Sequence, residues 1–206
     1  MLKLDHIAVV AATLEDGCAW VRERLGVDVP AGGKHPLMGT HNHLMRLGDG
    51  EYFEIIAIDP EAPAPDRPRW FGLDEPPGKT DPVLHWIVAT DDIESCLREA
   101  LPESGEALTM TRGDLSWRIS IAADGQLPMS GAFPSLIDWG TTPHPSARMT
   151  DLGCRLVSLT VRHPAPERIS AFLATGMNDP RVRVEPADNA EIIAAFETPT
   201  GLRYLD

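Results

Sequence analysis

The sequence predicts an α+β protein: two paired βαβββ modules that form a curved, barrel-like mixed sheet with the helices outside it, followed by a C-terminal partial module. The first observation behind this prediction is a repeat, because segments 5–26 and 83–101 both have the pattern of a strand followed by a helix. The second is that β-rich sequence with glycine-containing turns follows each copy. The third is a weaker strand-and-helix pattern at 156–176. We therefore divide the chain into a first module, a proline-rich linker, a second module and a partial module, at 1–58, 59–82, 83–150 and 151–206.

The first module begins with a strand rich in β-branched residues, from Ile7 to Val10. Thr13 is the expected N-cap of the following helix, with acidic residues in the first turn, and Gly26 is expected to end that helix. Segments 41–47 and 51–58 flank a Gly-Asp-Gly turn, which indicates a β-hairpin. The glycine-rich segment between helix and hairpin is interpreted as a loop.

The second module repeats this order. A strand at 83–89 precedes a helix that Asp91 or Asp92 caps and that runs to about Leu101. Three further strands are predicted at 107–111, 116–122 and 132–139. Aligning the two modules on their opening histidines, His6 and His85, also superposes their helices.

The third unit lacks this histidine, because Ser158 stands in its place. Its strands are predicted at 182–186 and 190–205, after the helix. We interpret it as a structural unit that covers a sheet edge.

The linker at 59–82 contains seven prolines, too many for regular structure. It is interpreted as a semi-rigid connection between the modules. The functional alternative is a lid that places four side chains over a site: Arg67, Arg69, Trp70 and Phe71.

Composition narrows the classes of function. The net charge is −13, so the surface repels phosphate backbones and anionic lipid, and neither nucleic acid nor a membrane is an expected partner. The N-terminal apolar run is broken too early for a signal peptide, and no segment approaches the roughly 20 apolar residues of a transmembrane helix. The three cysteines form no CxxC motif, so a reducing, cytoplasmic location is expected.

Four ionisable residues stand in otherwise apolar strand segments: His6, Glu54, His85 and Asp138. An unpaired charge inside a sheet is costly, so each needs a partner. Each module contributes one residue from its first strand and one from its last, and packing with pseudo-twofold symmetry directs all four into one cavity. Histidine and carboxylate ligands suit a divalent metal ion: Zn, Ni, Fe, Mn or Co.

Several segments resemble the glyoxalase-like branch of the vicinal-oxygen-chelate superfamily, from Leu4 to about Ala147. They are DHIAVV, GTHNHLMRLGDGEYFEIIA, LHWIVATDDIE, FPSLIDW and PHPS. The resemblance implies that the same four residues are metal ligands, although Asp138 stands where glutamate is expected and is one methylene shorter. It also implies a lyase, isomerase or hydrolase whose metal chelates a small oxygenated substrate, with Glu54 or Asp138 as a general base.

Four further residues are candidates for substrate binding: Asn42, Tyr52, Arg46 and His144. Three of them have a structural alternative that stays open. Asn42 could be an asparagine of the hairpin turn, Arg46 a surface arginine and His144 a loop histidine. Two other functions stay open, an extradiol-type dioxygenase and a small-molecule binding protein without turnover. One chain carries both modules, so either a monomer or a homodimer is compatible with a complete site.

Overall fold

The computed structural model describes residues 1–206 and contains twelve β-strands and three α-helices. The strands are β1 (Lys3–Val10), β2 (Ala31–His35), β3 (Thr40–Gly48), β4 (Glu51–Ile58), β5 (Val83–Ala89), β6 (Glu106–Arg112), β7 (Leu115–Ile121), β8 (Ser135–Asp138), β9 (Arg155–His163), β10 (Val182–Pro186), β11 (Glu191–Thr198) and β12 (Gly201–Leu205). The helices are α1 (Leu14–Leu25), α2 (Ile93–Glu99) and α3 (Pro166–Leu173). None of them is long and apolar enough to cross a membrane.

Eight strands form one curved sheet in the order β2-β3-β4-β1-β5-β8-β7-β6. Strand β1 pairs in parallel with β4 and antiparallel with β5, and β5 pairs in parallel with β8. The two modules therefore join between β1 and β5, and the edge strands β2 and β6 approach each other so that the sheet nearly closes. The predicted paired-module architecture is confirmed, but the segment interpreted as a loop contains strand β2.

The helix boundaries follow local capping chemistry. The Thr13 hydroxyl accepts the backbone N–H of Asp16 at 3.1 Å, and the Asp92 carboxylate accepts that of Ser95 at 3.0 Å. Gly26 ends α1 in the left-handed conformation, with φ of 72°.

Alternation along each strand gives the large sheet two different faces. The outer face packs under the helices through residues such as Ile7, Phe53 and Trp86, all fully buried. The inner face surrounds the barrel interior with a second apolar cluster that includes Ile56 and Ile87. A polar side chain on an inward position therefore lies in the interior, where it needs a hydrogen-bond partner.

The C-terminal unit forms its own four-stranded sheet, in the order β10-β9-β11-β12. It repeats the element order of the modules but not their strand order. Its apolar side packs on the outer face of the large sheet, where the rings of Phe196 and Phe53 are 5.7 Å apart and those of Phe172 and Phe133 are 4.9 Å apart. The unit thus covers a face of the sheet, not an edge as predicted.

The proline-rich segment carries one short helical turn, Trp70–Gly72, that reaches the barrel interior. Trp70 and Phe71 are 3% and 6% exposed, and Phe71 has a φ of 58°, which is unfavourable for a bulky residue. The segment therefore does more than connect the modules, because it fills part of the interior with two aromatic rings. Neither Arg67 nor Arg69 lines the cavity described below, and Arg69 pairs with Asp74 at 2.6 Å.

Gly125 anchors this turn and supplies a first prediction. Its carbonyl accepts the N–H of Gly72 at 2.8 Å, its φ is 74°, and a Cβ there would stand 2.0 Å from the carbonyl oxygen of Arg69. We expect Gly125→Ala to lower the free energy of unfolding by more than the roughly 1–2 kcal/mol of a left-handed alanine alone, because the methyl group overlaps backbone. Urea denaturation measures the change.

The control is Gly113→Ala, since Gly113 has a φ of 60° but open space around it. That variant isolates the conformational cost from the steric one. Equal destabilisation by the two substitutions would contradict the close approach at Gly125.

Candidate functional site

A small cavity lies inside the eight-stranded barrel, with a volume of about 20 Å³, close to what one water molecule needs. Tryptophan and isoleucine side chains form its apolar wall. Its polar lining consists of His6, His35, Asn42, Tyr52, Glu54 and Arg112. Polar groups gathered in an apolar, water-excluding site are the arrangement expected of a ligand-binding or catalytic centre.

A bulge in β1 places two ionisable residues side by side. The pairing of β1 with β5 shifts register between Leu4 and His6, so Asp5 is the additional residue. Leu4 packs in the outer core whereas His6 lines the cavity, so the bulge reverses the normal alternation. Asp5 is 1% exposed and lies directly behind His6.

The carboxylate of Asp5 accepts three side-chain hydrogen bonds. The donors are Nδ1 of His6 at 2.6 Å, Nε1 of Trp139 at 2.9 Å and Nε2 of His144 at 3.2 Å. Burial alone would raise the pKa of Asp5, but the hydrogen bonds from His144 and His6 outweigh it and lower that pKa. Asp5 is therefore a charged residue that orients the His6 ring.

Glu54 faces His6 across the cavity. Its Oε1 accepts Nδ2–H of Asn42 at 2.6 Å, and its Oε2 lies 3.5 Å from Nε2 of His6. Although burial alone would raise the pKa of Glu54, the hydrogen bond and charge of His6 lower it. The ring of Tyr52 stacks on that of His6, with centroids 4.1 Å apart.

His6 lies between two carboxylates. Burial alone would lower its pKa, but hydrogen bonds to Asp5 and Glu54 outweigh burial and raise the pKa above its ordinary value. The result is a buried imidazolium between two carboxylate ions, a chain of groups that can hold or move a proton.

A second polar group closes the other side of the cavity. Oδ1 of Asn42 accepts the N–H of Gly33 at 2.8 Å, and Nη1 of Arg112 lies 3.5 Å from the same oxygen. Arg112 also donates to Nε2 of His35 at 3.3 Å. Burial lowers the pKa of His35 to about 4, so its ring is neutral and accepts this hydrogen bond.

The second module supplies no histidine–carboxylate pair that would match His6 and Glu54. Glu54 lies opposite the residue two positions after His6, and Ser135 lies opposite the residue two positions after His85. Ser135, not Asp138, is therefore the counterpart of Glu54. The Ser135 hydroxyl donates to Nε2 of His85 at 2.9 Å, and Nδ1–H of His85 donates to the Gly131 carbonyl at 3.1 Å, so both ring nitrogens are occupied.

The expected inward position of Asp138 is corrected by the register of β8. Ile137 lines the cavity, so its neighbour Asp138 turns to the opposite side of the strand. There its Oδ1 accepts the N–H of Gly140 at 2.8 Å. The sequence prediction failed because β8 is only four residues long and its first three residues are all buried. A strand buried on both sides has no polar–apolar alternation to show which side faces inward.

The predicted four-residue metal cluster does not form. No group of three or more His, Cys, Asp or Glu side chains is arranged to hold a metal ion. Only His6 and Glu54 face each other, because His85 is occupied by Ser135 and Asp138 points away.

The four predicted substrate-binding residues separate into two groups. Asn42 and Tyr52 line the cavity. His144 lies behind the site, on Asp5, and its ring is 5.7 Å from that of Tyr52. Arg46 does not reach the cavity, because it pairs with Asp49 in the hairpin turn after β3.

Sequence reasoning missed three residues of the site: Asp5, His35 and Arg112. The signal for Asp5 was a second charge beside His6 at the start of an apolar strand. His35 and Arg112 occur in polar, strand-edge sequence with no distinguishing pattern. Only the near-closure of the sheet brings β2 and β6 together, and with them these two side chains.

The buried neutral His85 predicts that folding is sensitive to acid. Burial lowers its pKa to about 3, against 6.5 for the ordinary side chain, so below pH 6.5 the unfolded chain binds a proton that the folded chain does not. The stability that neutral His85 contributes is fully present above pH 6.5 and decreases as pH falls below it, by about 1.4 kcal/mol per pH unit. His6 adds no slope in that range, since its raised pKa leaves it protonated in both states.

Urea denaturation between about pH 6.5 and 4.5 tests this for wild type and His85→Asn. We expect the variant to have a shallower dependence of unfolding free energy on pH, by about one proton. The pKa of His35 is lowered by burial as well, so the variant keeps the part of the pH dependence that comes from His35. Identical slopes would show that His85 is protonated in the folded protein.

Two βαβββ modules paired into a nearly closed sheet, with a buried polar cavity inside, define a glyoxalase-type fold. The family model described as a glyoxalase-like domain matches residues 4–176, and the chain belongs to this family. The resemblance identified in the sequence is thereby confirmed. No curated protein matches the chain.

The chain is also similar to solved structures of other proteins. A hypothetical protein from Staphylococcus aureus is 16% identical, with 93% of this chain and 88% of that chain covered and a TM-score of 0.61. A variant of methylmalonyl-CoA epimerase from Streptomyces coelicolor, in complex with 2-nitronate-propionyl-CoA, is 17% identical, with coverage of 69% and 96% and a TM-score of 0.42. The epimerase from Mycobacterium tuberculosis is 18% identical, with coverage of 66% and 86% and a TM-score of 0.38. At 16% identity the likeness to the Staphylococcus aureus protein concerns the fold alone.

Proposed function

We propose that this protein is an enzyme that moves a proton on a small oxygenated substrate, with Glu54 as the general base. One observation carries the proposal: a buried carboxylate, held by Asn42 at 2.6 Å and facing a charged His6 at 3.5 Å, lines an apolar cavity. Such a base is held in position by its neighbours, and its lowered pKa keeps it ionised at neutral pH, so it is able to accept a proton from a bound substrate.

The proposed step is abstraction of a proton from carbon next to a carbonyl group. The C–H bond breaks, the proton passes to the Glu54 carboxylate, and the electron pair moves onto the carbonyl oxygen as an enolate. The positive charge of His6 stabilises that oxygen, and Asp5 keeps the His6 ring oriented. Return of the proton from Glu54 to the same carbon, on the opposite face, regenerates the carbonyl group and completes an isomerisation that inverts that carbon.

A divalent metal, which the family resemblance implies, fits this chain only in part. His6 and Glu54 are spaced so that both could bind one cation, and Asp5 behind His6 is the support a histidine ligand commonly has. The second module provides no ligand, because His85 is bonded to Ser135. The four-ligand site therefore does not fit, and no step above depends on a metal.

Metal-dependent catalysis is the second candidate, favoured by the 3.5 Å spacing of His6 Nε2 and Glu54 Oε2. Elemental analysis of protein purified without chelators tests it, with His6→Ala as the comparison. Stoichiometric metal that the variant loses would establish this candidate. An extradiol-type dioxygenase has less support, since the second histidine that its iron needs is bonded elsewhere.

The main proposal is tested by hydrogen–deuterium exchange. Small 2-oxo and 2-hydroxy carbonyl compounds are incubated with the protein in deuterated water, and loss of the C–H signal is followed by proton NMR. We expect protein-dependent exchange for at least one compound. Compounds that bind without exchange would instead support the remaining alternative, a binding protein without turnover.

A further inference from the structure

Arg112 occupies the boundary between the buried cavity and a larger cleft on the surface. The cleft has a volume of about 410 Å³, and Arg112 and Leu44 line both spaces. Arg112 is the last residue of β6 and reaches across the seam of the sheet to His35 in β2 and Asn42 in β3. A substrate that occupies the cleft therefore meets the Arg112 guanidinium first. Because the buried cavity has room for about one water molecule, that substrate reaches Glu54 only when the cavity widens on binding.

The guanidinium of Arg112 has no acidic partner. No carboxylate oxygen lies within 4.0 Å of it, although the chain carries a net charge of −13. By contrast Arg148, on the rim of the same cleft, is paired with Asp114 at 2.6 Å. The two neighbours of Arg112 are the neutral His35 and Asn42, so most of its five N–H donors remain available.

The local backbone is shaped to hold this side chain. A Cβ on Gly33 would stand 2.8 Å from Cδ of Arg112, so the arginine stem lies in space that only glycine leaves open. The face of Trp117 lies 5.9 Å from the guanidinium carbon. Gly33 and Trp117 therefore restrict the Arg112 side chain from two sides. The N–H groups of its planar guanidinium are suited to pair with both oxygens of a planar anion.

We propose that Arg112 is the specificity-determining residue of this site and recognises a carboxylate group on the substrate. The substrate class is then a small carboxylic acid with a carbonyl group next to the carboxylate, placed so that its acidic C–H reaches Glu54. This inference rests on the proposed proton-transfer function and adds the charge of the substrate to it. The negative surface of the protein does not attract such an anion from a distance, so the binding energy comes from the local arginine.

The test compares binding of pyruvate and of its neutral analogue pyruvamide, measured by NMR titration in low-salt buffer. Wild type is expected to prefer pyruvate by about tenfold, the value of one charge-assisted hydrogen-bonding group. Arg112→Gln abolishes the preference by weakening pyruvate binding and leaves pyruvamide nearly unchanged. Arg112→Lys keeps part of the preference, because it retains the charge without the bidentate fork.

Arg148→Gln is the matched control, since it removes an arginine of the same cleft that already has a carboxylate partner. It is expected to bind both compounds as wild type does. The proposal is overturned by wild type that does not bind pyruvate or does not prefer it, or by Arg112→Gln that keeps the preference. Thermal melting of each variant checks that it is folded. If Arg112→Gln does not fold, the comparison is made with Arg112→Lys, which is expected to keep only part of the preference.

Exchange at the pyruvate methyl group separates this inference from the function on which it rests. If pyruvate binds through Arg112 but wild type catalyses no exchange, the proton-transfer proposal fails and anion recognition stands. If wild type and Arg112→Gln catalyse exchange with the same KM, proton transfer stands and anion recognition fails.

Discussion

Glu54→Gln is expected to reduce the rate of substrate deuterium exchange by about 10²- to 10⁴-fold, the contribution of a positioned general base. Glutamine has nearly the same shape, and its oxygen can still accept the 2.6 Å hydrogen bond from Asn42. It cannot take up a proton at neutral pH. The loss therefore concerns chemistry more than binding, so kcat falls and KM changes little.

Two variants make this result specific. Glu54→Asp keeps a carboxylate but withdraws it by one methylene, so partial activity is expected. Glu197→Gln removes an exposed strand carboxylate in the C-terminal sheet and should leave the rate unchanged. Wild-type activity in Glu54→Gln would assign the base to another residue and refute the proposed mechanism.

Asp5→Ala is expected to lower the free energy of unfolding by about 3–5 kcal/mol, the cost of breaking a buried charge pair. The substitution removes the common acceptor of three buried or half-buried donors, on His6, Trp139 and His144. It leaves the His6 imidazolium with one carboxylate in place of two. Urea denaturation at neutral pH measures the effect.

Asp28→Ala serves as the comparison, because Asp28 makes only an exposed ion pair with Arg22 and its loss should change stability very little. The two substitutions remove the same chemical group from environments that differ in burial. Nearly equal stabilities would mean that Asp5 is solvated or uncharged in the folded protein, against the network described here.

Much of the fold could be predicted from local patterns. The repeat of strand and helix, the caps at Thr13 and Asp92, and the glycine turns all depend on residues close in sequence, so periodicity and capping chemistry indicate them. The inward direction of His6 and Glu54 was also accessible, because each interrupts an otherwise apolar strand segment.

The second half of the site could not be predicted in the same way. Asp138 and Ser135 are three positions apart in one short strand, so they face opposite sides, and only the pairing of β8 with β5 determines which of them meets His85. Asp5 joins the site because a bulge in β1 reverses the alternation, and no pattern in its neighbours marks the bulge.

The sequence by itself determined the two-module architecture and the first pair of site residues, His6 and Glu54, because local hydrophobic periodicity encodes which strand positions are buried. Tertiary structure alone decided that His85 is hydrogen-bonded to Ser135 and that Asp138 faces away from the cavity. It also decided that Asp5, His35 and Arg112 complete the site. These are consequences of strand register and of the near-closure between β2 and β6. Register and closure depend on contacts between residues far apart along the chain, which a local pattern does not contain.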